Sequence, residues 1–421
     1  MARSFQTKGG IESPVRIRLV VAFPAVVAGL LVRPVGAQDF GFDFTGYYLN
    51  VGTASLSGPF TPEGATDLQR LRLGIAPSLG TVSLEVAYEQ TLRLYTDPSI
   101  GALPYGSVGI GESRTPWLPL QGTIAESNHA LWSHRVDRLA VRVPVGEHLE
   151  LSAGRQAVSW ATTLLLTPAD PFAPFDPADP FRDYRAGVDV LRARVFAGAF
   201  TELDAVVNPS EVGDESDLTA LLRVTTIEGA WEMGGWAGVI HDRAGAALSA
   251  TLTTGGTAFR AEMTVRDEPD DIVWRAALGA DRNVGLAGRD LYLALEYQFD
   301  GFGAGSGEEL VQTVLSDAWR RGELQVLGRH ETALQATWQA GPLLTLEWLS
   351  LWNLSDGSLL LSPAASVSLS NEITGRAGVF LGIGSQTRSV ATPRPGTAEI
   401  LPASEYGIVP GSLYLSVTAF F

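Results

Sequence analysis

The sequence predicts an all-β chain closed into a transmembrane antiparallel β-barrel of about 18 strands, with about 16 as the alternative. Three observations lead there. After residue 37 the chain alternates apolar and polar residues with period two, segment after segment. Leu291, Leu293, Leu295, Tyr297 and Phe299 share one face, opposite Tyr292, Glu296, Gln298 and Asp300; Phe259, Ala261, Met263 and Val265 likewise oppose Arg260, Glu262, Thr264 and Arg266. Many of these segments run for about 10 to 13 residues, which suits a tilted membrane strand better than the roughly five or six of a soluble one. Finally, connections alternate in length. Those after even strands are mostly short, whereas the long ones, 96–133, 160–185, 301–327 and 385–410, all follow odd strands. Short periplasmic turns and long external loops produce that asymmetry, with both ends of the barrel domain periplasmic.

Taken in order, the strands are expected at 41–54, 67–78, 80–95, 134–146, 147–159, 186–198, 199–209, 218–228, 229–241, 246–255, 256–268, 272–284, 289–300, 328–340, 342–354, 358–370, 372–384 and 411–421. No Ser/Pro-rich linker interrupts the series, so residues 38–421 read as one barrel. Ser412 to Phe421, SLYLSVTAFF, places Leu413, Leu415, Val417, Ala419 and Phe421 on one face. That pattern resembles the C-terminal strand of bacterial outer-membrane proteins, which the barrel-insertion machinery reads.

Composition agrees. There is no cysteine, which excludes disulfide scaffolds and thiolate metal sites, and a net charge of −16 argues against nucleic acid as a partner. Residues 1–37 read as a secretion signal: Arg3, Lys8, Arg16 and Arg18 precede a 14-residue apolar run from Leu19 to Val32, and Val35-Gly36-Ala37 is a cleavage-like triplet. The run is too short for a spanning helix, which needs about 20 residues. Lys8 is the only lysine, so the remaining chain draws its positive charge from arginine.

An interior of about 18 strands leaves room for an aqueous channel, so the polar face holds the residues of interest. By register it carries Arg70, Arg72, Arg138, Arg142, Arg192, Arg194, Arg223, Arg260, Arg266, Arg275 and Arg376, together with Glu85, Glu89, Glu150, Glu202, Asp204, Glu262, Glu296 and Glu347. Arginines dominate the second, fourth and sixth strands and acids the third, fifth and seventh. Such residues either pair across neighbouring strands and brace the wall, or form a guanidinium track for an anionic solute.

The stretch Trp160 to Asp189 carries Asp-Pro pairs at Asp170, Asp176 and Asp179 and phenylalanines at 172, 175 and 181. Its prolines make it stiff and extended. Asp170, Phe172, Phe175, Asp176, Asp179 and Phe181 are therefore constriction candidates should the loop fold inward; a stiff external loop is the alternative. Glu308 to Trp319 reads as one short helix. Trp231, Trp236, Trp338, Trp348 and Trp352 read as interfacial or lipid-facing anchors. His129, His134, His148, His241 and His330 stand in no nucleophile-elbow or zinc-helix context, so no catalytic residue, metal or cofactor is expected.

Gly154-Arg155-Gln156 at a strand end, followed by a long loop and the return Tyr184-Arg185-Ala186-Gly187-Val188-Asp189 into an arginine-bearing strand, resembles the alginate-export and related porin-like outer-membrane families. In detail the resemblance covers about residues 150 to 195. It implies a monomeric 18-stranded barrel with an arginine-lined pore for an anionic polysaccharide. The reading is thus a bacterial outer-membrane channel for passive passage of small or oligomeric hydrophilic solutes, anions among them. A plugged barrel with an adhesive or envelope-structural role is the first alternative, and an outer-membrane hydrolase the second.

Overall fold

The computed structural model describes residues 44–99, 115–172, 176–181, 184–212, 215–269, 271–391 and 398–421. The expected leader, 1–37, and Phe175 lie outside the described residues.

Eighteen strands form the wall. They are β1 (Phe44–Ser55), β2 (Gly64–Ile75), β3 (Val82–Tyr95), β4 (Ala130–Val145), β5 (Leu149–Gln156), β6 (Val188–Phe196), β7 (Thr201–Val212), β8 (Glu215–Glu228) and β9 (Trp231–Ile240). The second half comprises β10 (Arg243–Thr254), β11 (Thr257–Asp267), β12 (Ile272–Leu286), β13 (Arg289–Asp300), β14 (His330–Trp338), β15 (Leu344–Asn353), β16 (Ser358–Ser368), β17 (Ile373–Ile383) and β18 (Ser412–Phe420). Each pairs antiparallel with its neighbours, and β1 pairs with both β2 and β18, so the sheet closes without a free edge. Phe421 completes the seam, exchanging backbone hydrogen bonds with Gly46 at 2.8 and 3.0 Å.

Burial is inverted relative to a soluble protein. Leu191 and Leu278 on the outer face are 62% and 60% exposed, whereas Glu262 and Glu296 on the inner face are 3% and 2% exposed. An apolar exterior around a charged interior is stable only when lipid surrounds it, so the barrel spans a membrane.

The wall departs from regularity around β4–β7. A bulge inserts Asp137: Tyr88 pairs with Val136 and Ala87 with Arg138, so Asp137 and Arg138 are both buried inside. β5 pairs only with residues 139–145 of β4, and β6 only with residues 202–207 of β7. Above them, residues 121–127 pair with β4 and Thr115–Pro116 with β7, so the connection after β3 patches the wall. That hairpin also explains why β4 begins at Ala130 and not at 134.

Arg155 and Asp189, opposite each other on β5 and β6, fall on the outward parity with Leu151 and Leu191. The patch covers them. Arg155 donates to Asp189 through Nε and Nη2 at 2.8 Å each, to the Leu118 carbonyl at 2.6 Å and to the Val136 carbonyl at 3.1 Å, while the Leu118 amide donates to Asp189 at 2.9 Å. Gly154 and Gly187 flank this clasp where a Cβ would strike the Leu139 and Asp137 carbonyl oxygens. The motif carrying the family resemblance therefore builds a wall junction.

Parts of three long connections, within 157–181, 301–329 and 403–411, pack inside the barrel, while Thr387–Ala391 and Ala398–Pro402 pair as a largely exposed hairpin. The expected single helix at 308–319 is two short ones, α1 (Leu310–Val314) and α2 (Asp317–Arg320), because Ser316 turns extended and caps the second. Trp236 is not a lipid-facing anchor: it is buried inside and donates to the Ala169 carbonyl at 3.0 Å, whereas Trp231, Trp348 and Trp352 face outward. β9 places Trp236 on the inner parity, and Gly245 on β10 stands where a Cβ would lie 3.5 Å from its ring.

Breaking a buried ion pair by removing one partner costs about 3–5 kcal/mol. Asp189→Ala should therefore lower unfolding stability in detergent by that order, and the double variant Arg155→Leu/Asp189→Leu by clearly less. Urea titration followed by heat-modifiable gel mobility measures both.

Candidate functional site

A loop entering a barrel brings unpaired backbone N–H and C=O groups with it, and the wall must bond them. Two wall glutamates take the donors. Glu262 on β11 accepts from the amides of Thr162, Thr163 and Ala169 at 2.8, 3.2 and 3.0 Å. Glu296 on β13 accepts from Leu164, Leu165 and Leu166 at 2.6, 2.9 and 2.9 Å. Wall arginines take the acceptors. Arg70 donates to the Phe181 carbonyl at 3.1 Å, Arg376 to Pro180 at 2.7 Å, Arg138 to Arg185 at 2.6 Å and Arg260 to Thr162 at 3.3 Å.

The loops also clasp one another. Gln325 accepts from the Thr167 amide at 2.5 Å and donates to the Leu165 carbonyl at 2.9 Å. Glu405 accepts from the amides of Leu327 and Gly328 at 2.7 and 3.0 Å and from the Asn353 side chain at 2.7 Å. Tyr406 reaches back to the wall, donating to Glu331 at 2.6 Å. Glu323 is clamped from the wall by Arg266 at 2.5 Å, and its carbonyl accepts from Arg275 at 2.8 Å.

The three Asp-Pro aspartates bond mainly to their own chain. Asp170, Asp176 and Asp179 accept from the amides of Phe172, Ala178 and Phe181 at 3.2, 2.8 and 2.9 Å, turning the chain at each step. Asp170 also receives Arg185 at 2.7 Å. Phe172 and Phe181 are buried, one edge-on to Trp160, the other edge-on to Tyr414.

Most charged wall residues singled out from the sequence are paired. Arg70 and Arg72 flank Glu89 at 3.7 Å each, and Arg72 and Arg138 converge on Asp137 at 2.5 and 2.6 Å. Arg192 holds Asp204 through two bonds of 2.9 and 2.7 Å, Arg260 pairs with Asp281 at 2.7 Å and Arg275 with Asp300 at 2.7 Å. Arg194 and Arg142 share Glu150, Arg142 also approaches Glu85, and Arg376 pairs with Glu347. Depth divides them. The pairs around Asp137, Asp300 and Glu323 are buried, whereas Glu85, Arg142, Glu150, Arg194, Arg376 and Glu347, toward the short-turn end, are partly or half exposed and line a wet vestibule.

Arg223 differs. Asp204 lies directly across from it on β7, yet that carboxylate is taken by Arg192 and by the Trp160 indole at 2.9 Å. The Arg223 guanidinium lies 5.8 Å from the Trp160 ring centre, and among the described residues no carboxylate lies within ion-pair distance of it. Glu202 lies nearby on the same polar face.

Sequence reasoning missed Asp137, the pairing of Arg155 with Asp189, which it named only within the motif, and Glu323, Gln325 and Glu405. The bulge hides the first and outward parity the next two; the last three lie in aperiodic loops. Among the described residues no group of three or more His, Asp or Glu side chains is placed to hold a metal ion.

No protein-family profile matches the chain, and no curated protein resembles it in sequence. Solved structures do resemble it in fold. The crystal structure of OccAB2 from Acinetobacter baumannii superposes with a TM-score of 0.53 at 10% identity, covering 90% of this chain and 98% of that one. OccAB1 of the same organism gives 0.52 at 9% identity over 90% and 96% of the two chains. A BenF-like porin from Pseudomonas fluorescens Pf-5 gives 0.50 at 12% identity over 91% and 99%. The shared feature is the porin-like barrel.

Leaving buried amides without acceptors costs about 1–3 kcal/mol each. Glu262→Ala/Glu296→Ala should therefore free the loop 157–187 while the wall persists, read as faster protease cleavage within the loop at unchanged β-sheet circular dichroism. Glu323 adds a pH dependence. Burial alone would raise its carboxyl, but Arg266, with His241 and Arg275 helping, holds it at about 2 against an ordinary 4.5. Its bonds thus stabilise fully above pH 4.5 and are lost as the pH falls toward 2. Glu323→Gln should flatten acid-induced loop release across that window and weaken the loop at neutral pH.

Proposed function

We propose that the protein is a channel of the bacterial outer membrane that passes small or oligomeric hydrophilic solutes passively, anions among them. The observation that carries this reading is Arg223, a cation with no carboxylate within ion-pair distance among the described residues, inside a barrel whose exterior is apolar and whose charged inner face is partly open at the short-turn end. A cation held in a low-dielectric wall attracts anions in a way that arginines already bonded to carboxylates do not. The porin-like fold of the resembling structures supports a channel over an enzyme. The chain would act as a monomer, inserted through its terminal strand by the barrel-insertion machinery.

Small anions fit this interior better than the acidic polysaccharide that the alginate-export resemblance implies, because parts of three long connections pack inside the lumen. The same packing favours the second reading, a plugged barrel with an envelope-structural role. Conductance separates the two.

Purified, refolded protein in a planar bilayer under a salt gradient should give stable steps with anion preference; a folded but silent barrel would favour the plugged reading. Arg223→Glu should move the reversal potential toward cation preference. Arg192→Glu/Arg194→Glu should move it less, since each of these arginines already neutralises an acid.

A further inference from the structure

On the outer face of a membrane barrel, polar side chains belong near the strand ends, where headgroups and water reach them. From β5 round to β18 the wall keeps that rule. Outward positions away from the strand ends are apolar or small there, Leu203, Val224, Met263 and Leu295 among them. Outward Arg282 lies opposite Thr257 at the short-turn end of β11, and the outward pair Arg155–Asp189 is covered by the chain itself. The first four strands break the rule. Tyr48 and Asn50 on β1, Asp67 and Gln69 on β2, Gln90 on β3 and His134 on β4 take the outward parity, alternating with the inward Leu49, Leu68, Glu89 and Arg135. Apolar outward residues continue on either side of them along the strands: Leu92 and Val86 about Gln90, Trp132 and Val136 about His134, Leu71 after Gln69.

Part of this patch satisfies itself. Asn50 and Gln69 each donate to Asp67 at 2.9 Å, and Tyr48 donates to Gln69 at 3.1 Å. Two groups are left over. Among the described residues no arginine or histidine lies within ion-pair distance of Asp67, and His134 makes no hydrogen bond, its Nδ1 being sealed from solvent without a partner. A carboxylate and an imidazole facing hydrocarbon are costly, and each lacks the kind of partner that the other could be. Within one chain β3 stands between them.

We propose that this face is an interface with a second copy of the chain, the two barrels standing side by side in the membrane about a two-fold axis at β3. In an isologous contact residue i of one copy meets residue j of the other, and j meets i. An axis at β3 therefore lays Asp67 of each copy toward His134 of the other. It also brings the two Gln90 amides, each both donor and acceptor, together at the axis. Height agrees with this. Ile75 ends opposite Val86 while β3 runs on to Val82, and Ser83 lies opposite Arg142 while β4 runs on to Val145. A row of paired residues thus climbs toward the long-loop end in passing from β2 to β4, which lifts His134 from the Gln90 row toward the level of Asp67. The patch carries its own complement, and that makes a second copy its occupant. Each barrel keeps its own lumen, so a single chain remains the conducting unit and the inference stands apart from the channel reading.

The chain has no cysteine, so single thiols report cleanly. Leu92→Cys, on β3 beside Gln90, leaves every polar residue of the patch in place, whereas Leu278→Cys faces outward from β12 on the far side of the barrel. In isolated outer membranes a short bifunctional thiol reagent should join Leu92→Cys into a species of twice the chain mass and leave Leu278→Cys single. Wild type in mild detergent should show the doubled mass by native mass spectrometry. Asp67→Asn and His134→Phe should each lower the association constant about tenfold, with heat-modifiable gel mobility reporting folded barrels throughout. A single-chain mass for wild type with no Leu92→Cys product, equal joining at Leu278→Cys, a Leu92→Cys product of some other mass, or a dimer that neither polar variant weakens would overturn the proposal.

Discussion

The interior of this barrel depends on one constraint: backbone brought into the lumen must find hydrogen-bond partners there. Sheet ladders cannot supply them, because the wall strands spend their own N–H and C=O groups on closing the barrel. Charged side chains do it instead. Six amides of the loop 157–187 rest on two glutamates, and four of its carbonyls on four arginines. A carboxyl group offers about four lone-pair sites on two oxygens, so one glutamate can take three loop amides at once. The loop's position follows from where the wall put those charges.

This also gives the arginine-only chemistry of the barrel a physical use. Arg376 bonds Glu347 and the Pro180 carbonyl together; Arg138 bonds Asp137 and the Arg185 carbonyl; Arg275 bonds Asp300 and the Glu323 carbonyl. Arg155 reaches one carboxylate and two carbonyls. Each needs several donors in a fixed plane, pointing at a wall acid and a loop carbonyl at once. A lysine ammonium carries fewer donors and no fork, and would leave one of the two partners unbonded.

The wall was legible in the sequence because a strand in lipid has a single pattern to obey: alternate residues face hydrocarbon, and any lapse is costly. All 18 expected strands stand where the alternation put them, within a few residues. Legibility ended where parity stopped reporting direction. Asp137 occupies a bulge, so it and Arg138 both turn inward despite being adjacent. Arg155 and Asp189 keep the outward parity and escape lipid only because a distant segment, around Leu118, covers them. Trp236 obeys parity, but tryptophan is so common at membrane interfaces that composition outweighed position. Glu323, Gln325 and Glu405 lie in loops with no period at all, and their partners are fixed by tertiary contact alone.

Burial then separates structure from selectivity among residues of one chemical type. An ion pair sealed from water has paid its desolvation and is held by neighbours that would all have to move, so it scarcely responds to a passing ion. Pairs such as Arg142–Glu150 and Arg376–Glu347, partly open to the vestibule, exchange partner for water at little cost. In the proposed channel, a solute entering from the short-turn side would first meet these charges, which can rearrange around it. The buried pairs behind them hold the inward backbone in place. Rigidity of the packed interior and mobility of the exposed charges thus come from the same arginine–carboxylate chemistry, placed at two depths of one barrel.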